Sequence, residues 1–153
     1  MAKSPDRGIR KKKDMSSSEL DEFLARPHLA RMATVNPATL QPHVVPVWYG
    51  WDGSSLWINT FSDTRKVKEL RKNPRISVAI DISGGADSLS AVIMEGEAQL
   101  VSEPRELLEA KTEWIYTRYL GPQGVKDAEP QSWIKSPKAL LIKLTPNFVK
   151  SWK

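Results

Sequence analysis

The sequence predicts an α+β protein made mainly of β-strands: six or so strands in antiparallel order, forming a small barrel with helices attached. Three observations carry that prediction. Short runs of β-branched and aromatic residues follow one another, separated by Gly, Pro, Asn and Asp turn signals. Their order is hairpin order, without the repeated strand–helix–strand units that build a parallel sheet. Helical spacing is confined to three stretches, near residues 18–25, 64–72 and 102–120.

Residues 1–15 read as a disordered basic tail, which leaves 16–153 as one domain. Ser18 is placed to cap a first helix that runs to Ala25. Glu19, Asp21 and Glu22 sit at the positive end of its dipole, and Pro27 stops it. Residues 29–35 (LARMATV) alternate as a strand and end at the turn former Asn36-Pro37. Residues 43–51 (HVVPVWYGW) form a second strand. Pro46 has no N–H to give to a ladder, so this strand is expected at an edge or bulged there. Asp52-Gly53 marks a hairpin, and residues 56–60 return as its partner.

A helix over 64–72 comes next. Val67 and Leu70 can face the core, while Arg65, Lys68 and Lys72 share another face. Asn73-Pro74 ends it, residues 76–81 form a strand, and 82–88, with Gly84-Gly85, read as a loop between Asp81 and Asp87. Residues 89–101 make a long strand with a bend or bulge expected at Gly96. Ser102 and Pro104 open a helix that Gly121-Pro122 closes. Residues 121–137 read as a polar loop, and 139–144 as the last strand, with a continuation past Pro146 left open.

Charge and composition exclude several classes of function. The net charge of +5 belongs to residues 1–13, where six basic residues face only Asp6; the other 140 residues carry 17 basic and 17 acidic groups. A high pI confined to a tail is no basic binding face, so neither nucleic acid nor membrane is expected as a partner. There is no cysteine, which removes disulfides, thiolate nucleophiles and cysteine-held metals. His28 and His43 stand fifteen residues apart without a carboxylate motif, so no transition-metal site is expected. No apolar run reaches the ~20 residues of a membrane span, and the first residues hold no apolar signal core. A cytoplasmic protein is the expectation.

The stretch with the most chemistry is residues 57–81 (WINTFSDTRKVKELRKNPRISVAID), which reads strand, tight loop, helix, strand. Thr64, Arg65 and Lys66 stand where the loop enters the helix. The first N–H groups of a helix point outward without partners, and the dipole adds positive charge there. A hydroxyl and two cations at that point supply charge-assisted donors for a phosphate. The same three residues also fit an ordinary solvated helix start.

In order and spacing, several segments resemble one family. They are RMATV at 31–35, QPHVVPV at 41–47, the Asp52-Gly53 turn, TRKVKELRKNPRISV at 64–78 and EGEA at 95–98. Over about residues 20–150 the chain resembles the pyridoxamine-phosphate-oxidase-like flavin-binding split barrels. The resemblance implies a six-stranded antiparallel split β-barrel with flanking helices. It implies a homodimer with flavin-type cofactors in clefts at the subunit interface. By position, it gives Thr60, Thr64, Arg65 and Lys66 to the cofactor phosphate. His43, Val44, Val45 and Pro46 fall on the strand whose backbone runs along the flavin ring. Asn59 falls where some relatives have an aromatic residue against the ring or ribityl chain.

The function so implied is an FMN-dependent oxidoreductase that moves hydride to or from a small molecule, the cofactor carrying the redox chemistry. One alternative is the deazaflavin coenzyme F-420 on the same fold, whose phosphorylated tail Arg71, Lys72 and Arg75 could also serve. Another is a flavin, haem or tetrapyrrole binder without turnover. No side chain stands out as a catalytic acid or base. The chain ends FVKSWK, without the Arg-x-His segment that grips the substrate in the family's vitamin B6 oxidase. Ala91 stands near the place of that enzyme's flavin-contacting Gln, so vitamin B6 oxidation is not expected.

His43 also fits a half-buried strand residue, and His28 a surface turn. Trp48, Trp51 and Trp57 fit core or dimer interface, with Trp48, Trp133 and Trp152 as further ligand-contact candidates. Tyr116 and Tyr119 fit helix packing.

Overall fold

Ser16 caps the first helix. Its Oγ accepts the Glu19 N–H at 3.2 Å, and helix α1 runs over Ser17–Ala25. The predicted cap was Ser18. Of three consecutive serines, only Ser16 stands three residues before Glu19, the spacing that a side-chain cap requires. The far end of α1 has no basic residue of its own. Arg118, from a later helix, donates there to the carbonyls of Leu24, Ala25 and Arg26, and to that of Tyr49.

These contacts come from a computed structural model that describes residues 13–84 and 89–153. The first twelve residues of the basic tail, and residues 85–88 of the 82–88 loop with Asp87, lie outside the described residues.

Eight strands pair antiparallel throughout: β1 (Ala30–Val35), β2 (Pro42–Val47), β3 (Tyr49–Trp51), β4 (Leu56–Phe61), β5 (Arg75–Ile82), β6 (Ser90–Val101), β7 (Ala139–Leu144) and β8 (Phe148–Trp152). Their order is β2-β1-β5-β6-β7-β4-β3, with β8 added on β6. The curled, two-part sheet is the split barrel expected, with two strands more than the six read from the sequence. The predicted strand 43–51 breaks at Trp48 into β2 and β3, and the chain turns after Leu144 to return as β8.

β6 serves both halves of the barrel. Residues 90–97 pair with β5, while 98–101 pair with β7. Gly96 stands at the change of partner. A Cβ there would come within 2.9 Å of Leu144 Cδ1 and 3.3 Å of Thr145 O, so a side chain would crowd the crossing between the halves.

Two cores follow from strands buried on both faces. On β4, Leu56 and Ile58 point into the barrel while Trp57 points out under a helix; on β7, Ile142 and Leu144 point in while Leu141 points out. Ile58, Leu141, Ile142 and Leu144 are fully buried. Each such side chain contributes about 1.5–3 kcal/mol of transfer free energy. Over the outer face lie α3 (Arg105–Gly124) and α4 (Ala128–Ile134). The predicted break at Gly121 is present: its φ is +79°, in the left-handed region that glycine adopts at little cost. One further turn follows after Pro122. α4 corrects the expected 121–137 loop. It has seven residues, too few to show a periodic pattern, and Pro130 falls in its first turn, where no backbone N–H bond is lost.

Helix α2 (Arg65–Lys72) crosses between the end of β4 and the start of β5, with Val67, Glu69 and Leu70 buried. Among the described residues no helix is long and apolar enough to cross a membrane.

Candidate functional site

The junction of β4 and α2 is held as a tight corner. Thr64 donates its N–H and its hydroxyl to the carbonyl of Phe61, at 3.2 and 3.0 Å. Ser62 N donates to Lys138 O, and Lys138 pairs with Asp63 at 2.8 Å. The Thr60 and Thr64 hydroxyls stand 3.2 Å apart. Since the Thr64 hydroxyl is turned to Phe61, it does not cap α2, and the helix opens without a side-chain acceptor on its first N–H groups. Those donors, and the dipole behind them, remain available to an external anion.

Beside this corner lies a cleft of about 420 Å³, lined among others by Pro46, Trp48, Asn59, Thr60, Thr64 and Lys66. Lys66 is half-buried, and burial pushes its pKa below the ordinary lysine value. Among the described residues no carboxylate lies within ion-pair distance of it. A desolvated cation without a counterion is unfavourable unless an anion arrives.

Arg65 has a different place. Its Nε donates to Glu69 Oε1 at 2.9 Å, and it lines a neighbouring hollow of about 360 Å³ with Lys68, Lys72 and Asn36. Glu69 is buried. Its other oxygen accepts the Thr34 hydroxyl at 2.5 Å. The Thr34 hydroxyl first, and then Arg65, hold the Glu69 carboxyl below the usual glutamate range against the opposing effect of burial. The three residues grouped by sequence at the helix start thus divide, Thr64 and Lys66 to the cleft and Arg65 to the hollow.

Of the other expected residues, Pro46, Asn59 and Thr60 line the cleft. β2 is an edge strand, as the proline at 46 predicted. His43 stands opposite Thr34, Val45 packs on the barrel core, and Val44 is 60% exposed on the outer face. These three lie along β2 away from the cleft lining.

An aromatic wall backs the cleft. Trp48 stacks on Tyr119 with ring centroids 4.8 Å apart and nearly parallel planes, and meets Tyr116 edge-on at 5.7 Å. Tyr119 donates to His28 O at 2.7 Å and accepts from Tyr49 N, which fixes the segment before Leu29, another cleft residue. Trp133 packs edge-on against Tyr116 and is not among the residues that line the cleft. Asn59 donates Nδ2–H to the Tyr116 hydroxyl at 2.9 Å, whereas its Oδ1 is shut from solvent and has no partner among the described residues. Leu29, Phe61 and the Tyr116 contact were not read from the sequence. The first two carry no chemical signal, and the third joins residues 57 positions apart.

These residues fit a flavin-type group in three respects. The cleft pairs a cation without a carboxylate partner among the described residues, and free helix N–H groups, with the aromatic surface of Trp48. It has room for a planar ring, and its donor set is one for oxygens of a phosphate rather than for a metal.

The sequence model of the pyridoxamine 5'-phosphate oxidase family matches residues 16–153. No curated protein matches. Among solved structures, the chain is similar to a conserved hypothetical protein, Rv2991, from Mycobacterium tuberculosis. The two are 29% identical with a TM-score of 0.78, over 91% of this chain and 85% of that one. It is similar in fold to an F420 reductase (22% identity, TM-score 0.65, covering 84% and 94% of the two chains). A FAD-binding protein from Mesorhizobium loti has the same fold (19% identity, TM-score 0.63, covering 92% and 95%).

Proposed function

The chain belongs to the pyridoxamine 5'-phosphate oxidase family, and from that premise we propose that it is a flavin-type oxidoreductase. It takes FMN and passes hydride to or from a small molecule. The observation that carries the reading is Lys66, half-buried in the cleft beside the uncapped start of α2 and lacking a carboxylate partner among the described residues. When bound, the cofactor supplies the redox chemistry, and the protein supplies position and electrostatics.

Lys66 offers charge, and Thr60 and Thr64 offer hydroxyls, to the phosphate. The first N–H groups of α2 complete the anion's shell. Pro46 and Trp48 bound the ring end, and the Leu29 side of the cleft limits water. The working form is a homodimer, in which a second copy closes the cleft. The exposed Leu29 (44%) and Val44 (60%) beside the open edge of β2 support that assembly.

The second reading is coenzyme F-420 in the same cleft. The hollow with Lys68 and Lys72 on its wall favours it, because a cofactor with a phosphorylated tail has more anionic groups to match. An absorbance and fluorescence spectrum of native protein, with mass spectrometry of the released ligand, tests both. FMN gives a yellow protein with a flavin mass. Deazaflavin gives a band at shorter wavelength, bright fluorescence and its own mass. A protein that carries neither and binds neither on titration ends the proposal.

A further inference from the structure

Two residues of the cleft wall stand where no strand holds them. Leu29 lies one residue before β1, and Trp48 fills the gap between β2 and β3. A residue within a strand is placed by its ladder of backbone bonds, whereas a residue in a gap is placed by whatever its neighbours bond to. Here that is one side chain of α3. The Tyr119 hydroxyl donates to the carbonyl of His28, next to Leu29, at 2.7 Å, and accepts the N–H of Tyr49, next to Trp48, at 3.2 Å. Its ring covers Trp48 with centroids 4.8 Å apart and planes within 5° of parallel. Two segments distant in sequence are joined through a single group, and each carries a piece of the cleft.

The hydroxyl is not needed to fasten the helix. Arg118 already ties α3 to the carbonyls of Leu24, Ala25 and Arg26 at the end of α1 and to that of Tyr49. A phenylalanine would lay the same ring on Trp48. Burial first raises the Tyr119 pKa, against the lowering by the Tyr49 N–H and by Arg118, so the group stays protonated and donates to one segment while accepting from the other. The phosphate corner is held by other means. Thr64 bonds to Phe61 O, Ser62 N to Lys138 O, and Lys138 to Asp63, and none of these contacts involves α3.

We infer that Tyr119 is the positioning residue for the ring end of the cleft: by joining the His28 carbonyl to the Tyr49 N–H it sets Leu29 and Trp48 relative to one another, and so the affinity for the uncharged planar part of the ligand. This rests on the flavin-type reading above and adds to it a division. α3 gauges the slot for the ring, and the β4–α2 corner grips the phosphate, through separate networks. Sites held by separate networks act additively.

The test uses the full chain and pairs of probes that differ in the phosphate. These are FMN with riboflavin, and coenzyme F-420 with its phosphate-free deazaflavin core, titrated by fluorescence well below the thermal midpoints. Tyr119→Phe is expected to weaken both members of the bound pair by the same factor, fivefold or more, so that the ratio of their two Kd values stays at the wild-type value. Lys66→Met is expected to narrow that ratio instead. Ile115→Val, a change in the buried core under α3 and away from the cleft lining, controls for loosened packing. It is expected to lower the midpoint and to leave each Kd within twofold of wild type. If Tyr119→Phe binds both members as wild type does, the inference is overturned and the flavin reading stands. If Tyr119→Phe narrows the ratio as Lys66→Met does, or if Ile115→Val weakens binding as much, the hydroxyl only stiffens the fold and the inference is again overturned. If wild type binds no probe of either pair, the flavin reading falls and this inference falls with it.

Discussion

Lys66 and Arg65 are neighbours in sequence and opposites in circumstance. Lys66 faces the cleft without an acidic partner among the described residues, whereas Arg65 faces the hollow with Glu69 at 2.9 Å, itself held by Thr34. On one flank of α2 a half-buried charge has no carboxylate partner among the described residues. On the other, the charge is already matched within the fold. Adjacent residues on a helix point about 100° apart, so one turn can present a binding cation and a structural one. The lesson is to judge a cation by its counterion and not by its company in the sequence.

Reversing the charge on the open flank is expected to have the largest effect. Lys66→Glu should cost on the order of 3 kcal/mol of binding free energy, about 100-fold in Kd, because a charge-assisted bond is lost and a repulsion added. Fluorescence titration with FMN and coenzyme F-420 measures it, and a Kd within threefold of wild type would break the comparison. On the matched flank the damage should appear in stability instead. Glu69→Leu leaves the Thr34 hydroxyl buried without its acceptor and is expected to destabilise the fold by about 1–3 kcal/mol, read by denaturant unfolding. Ligand affinity should not fall.

Thr64→Val removes one hydroxyl from the corner. It is expected to cost about 1 kcal/mol of stability through the lost bond to Phe61, and a few-fold in affinity. The smallest effect is in pH. The Glu69 carboxyl is held below its ordinary value of 4.5 by the Thr34 hydroxyl and by Arg65. Its stabilisation is therefore complete above the ordinary range and is lost as pH falls through the lowered pKa. Thr34→Val should make acid unfolding begin at higher pH. An unchanged acid limb would remove Glu69 from the account.

Much of this was legible before any coordinates. The helix at 64–72 is nearly the observed α2, and the proline at 46 marked an edge strand correctly. Alternation on β1 is a pattern of residue type, which a sequence carries. α4 was not legible because seven residues are too few to show a helical period, and β8 because its first three residues are exposed and it lacks the alternation of an inward face. In the site, Thr64 and Lys66 were singled out from type and place and Thr60 from the family resemblance, and all three line the cleft. What could not be read was direction: Arg65 turns to Glu69, a buried carboxylate whose other oxygen accepts from Thr34 of β1, 35 positions away in sequence. The Asn59–Tyr116 contact depends on how α3 lies across β4, a tertiary fact with no local sign.

The division of α2 into an open and a matched flank is tested most directly by titrating FMN and coenzyme F-420 into Lys66→Met and Arg65→Met side by side. Met keeps much of the apolar stem and removes only the charge and its donors. The account predicts that Lys66→Met weakens the bound cofactor by about 10-fold or more, while Arg65→Met stays within a few-fold of wild type. A severe loss in Arg65→Met with Lys66→Met unchanged would contradict it.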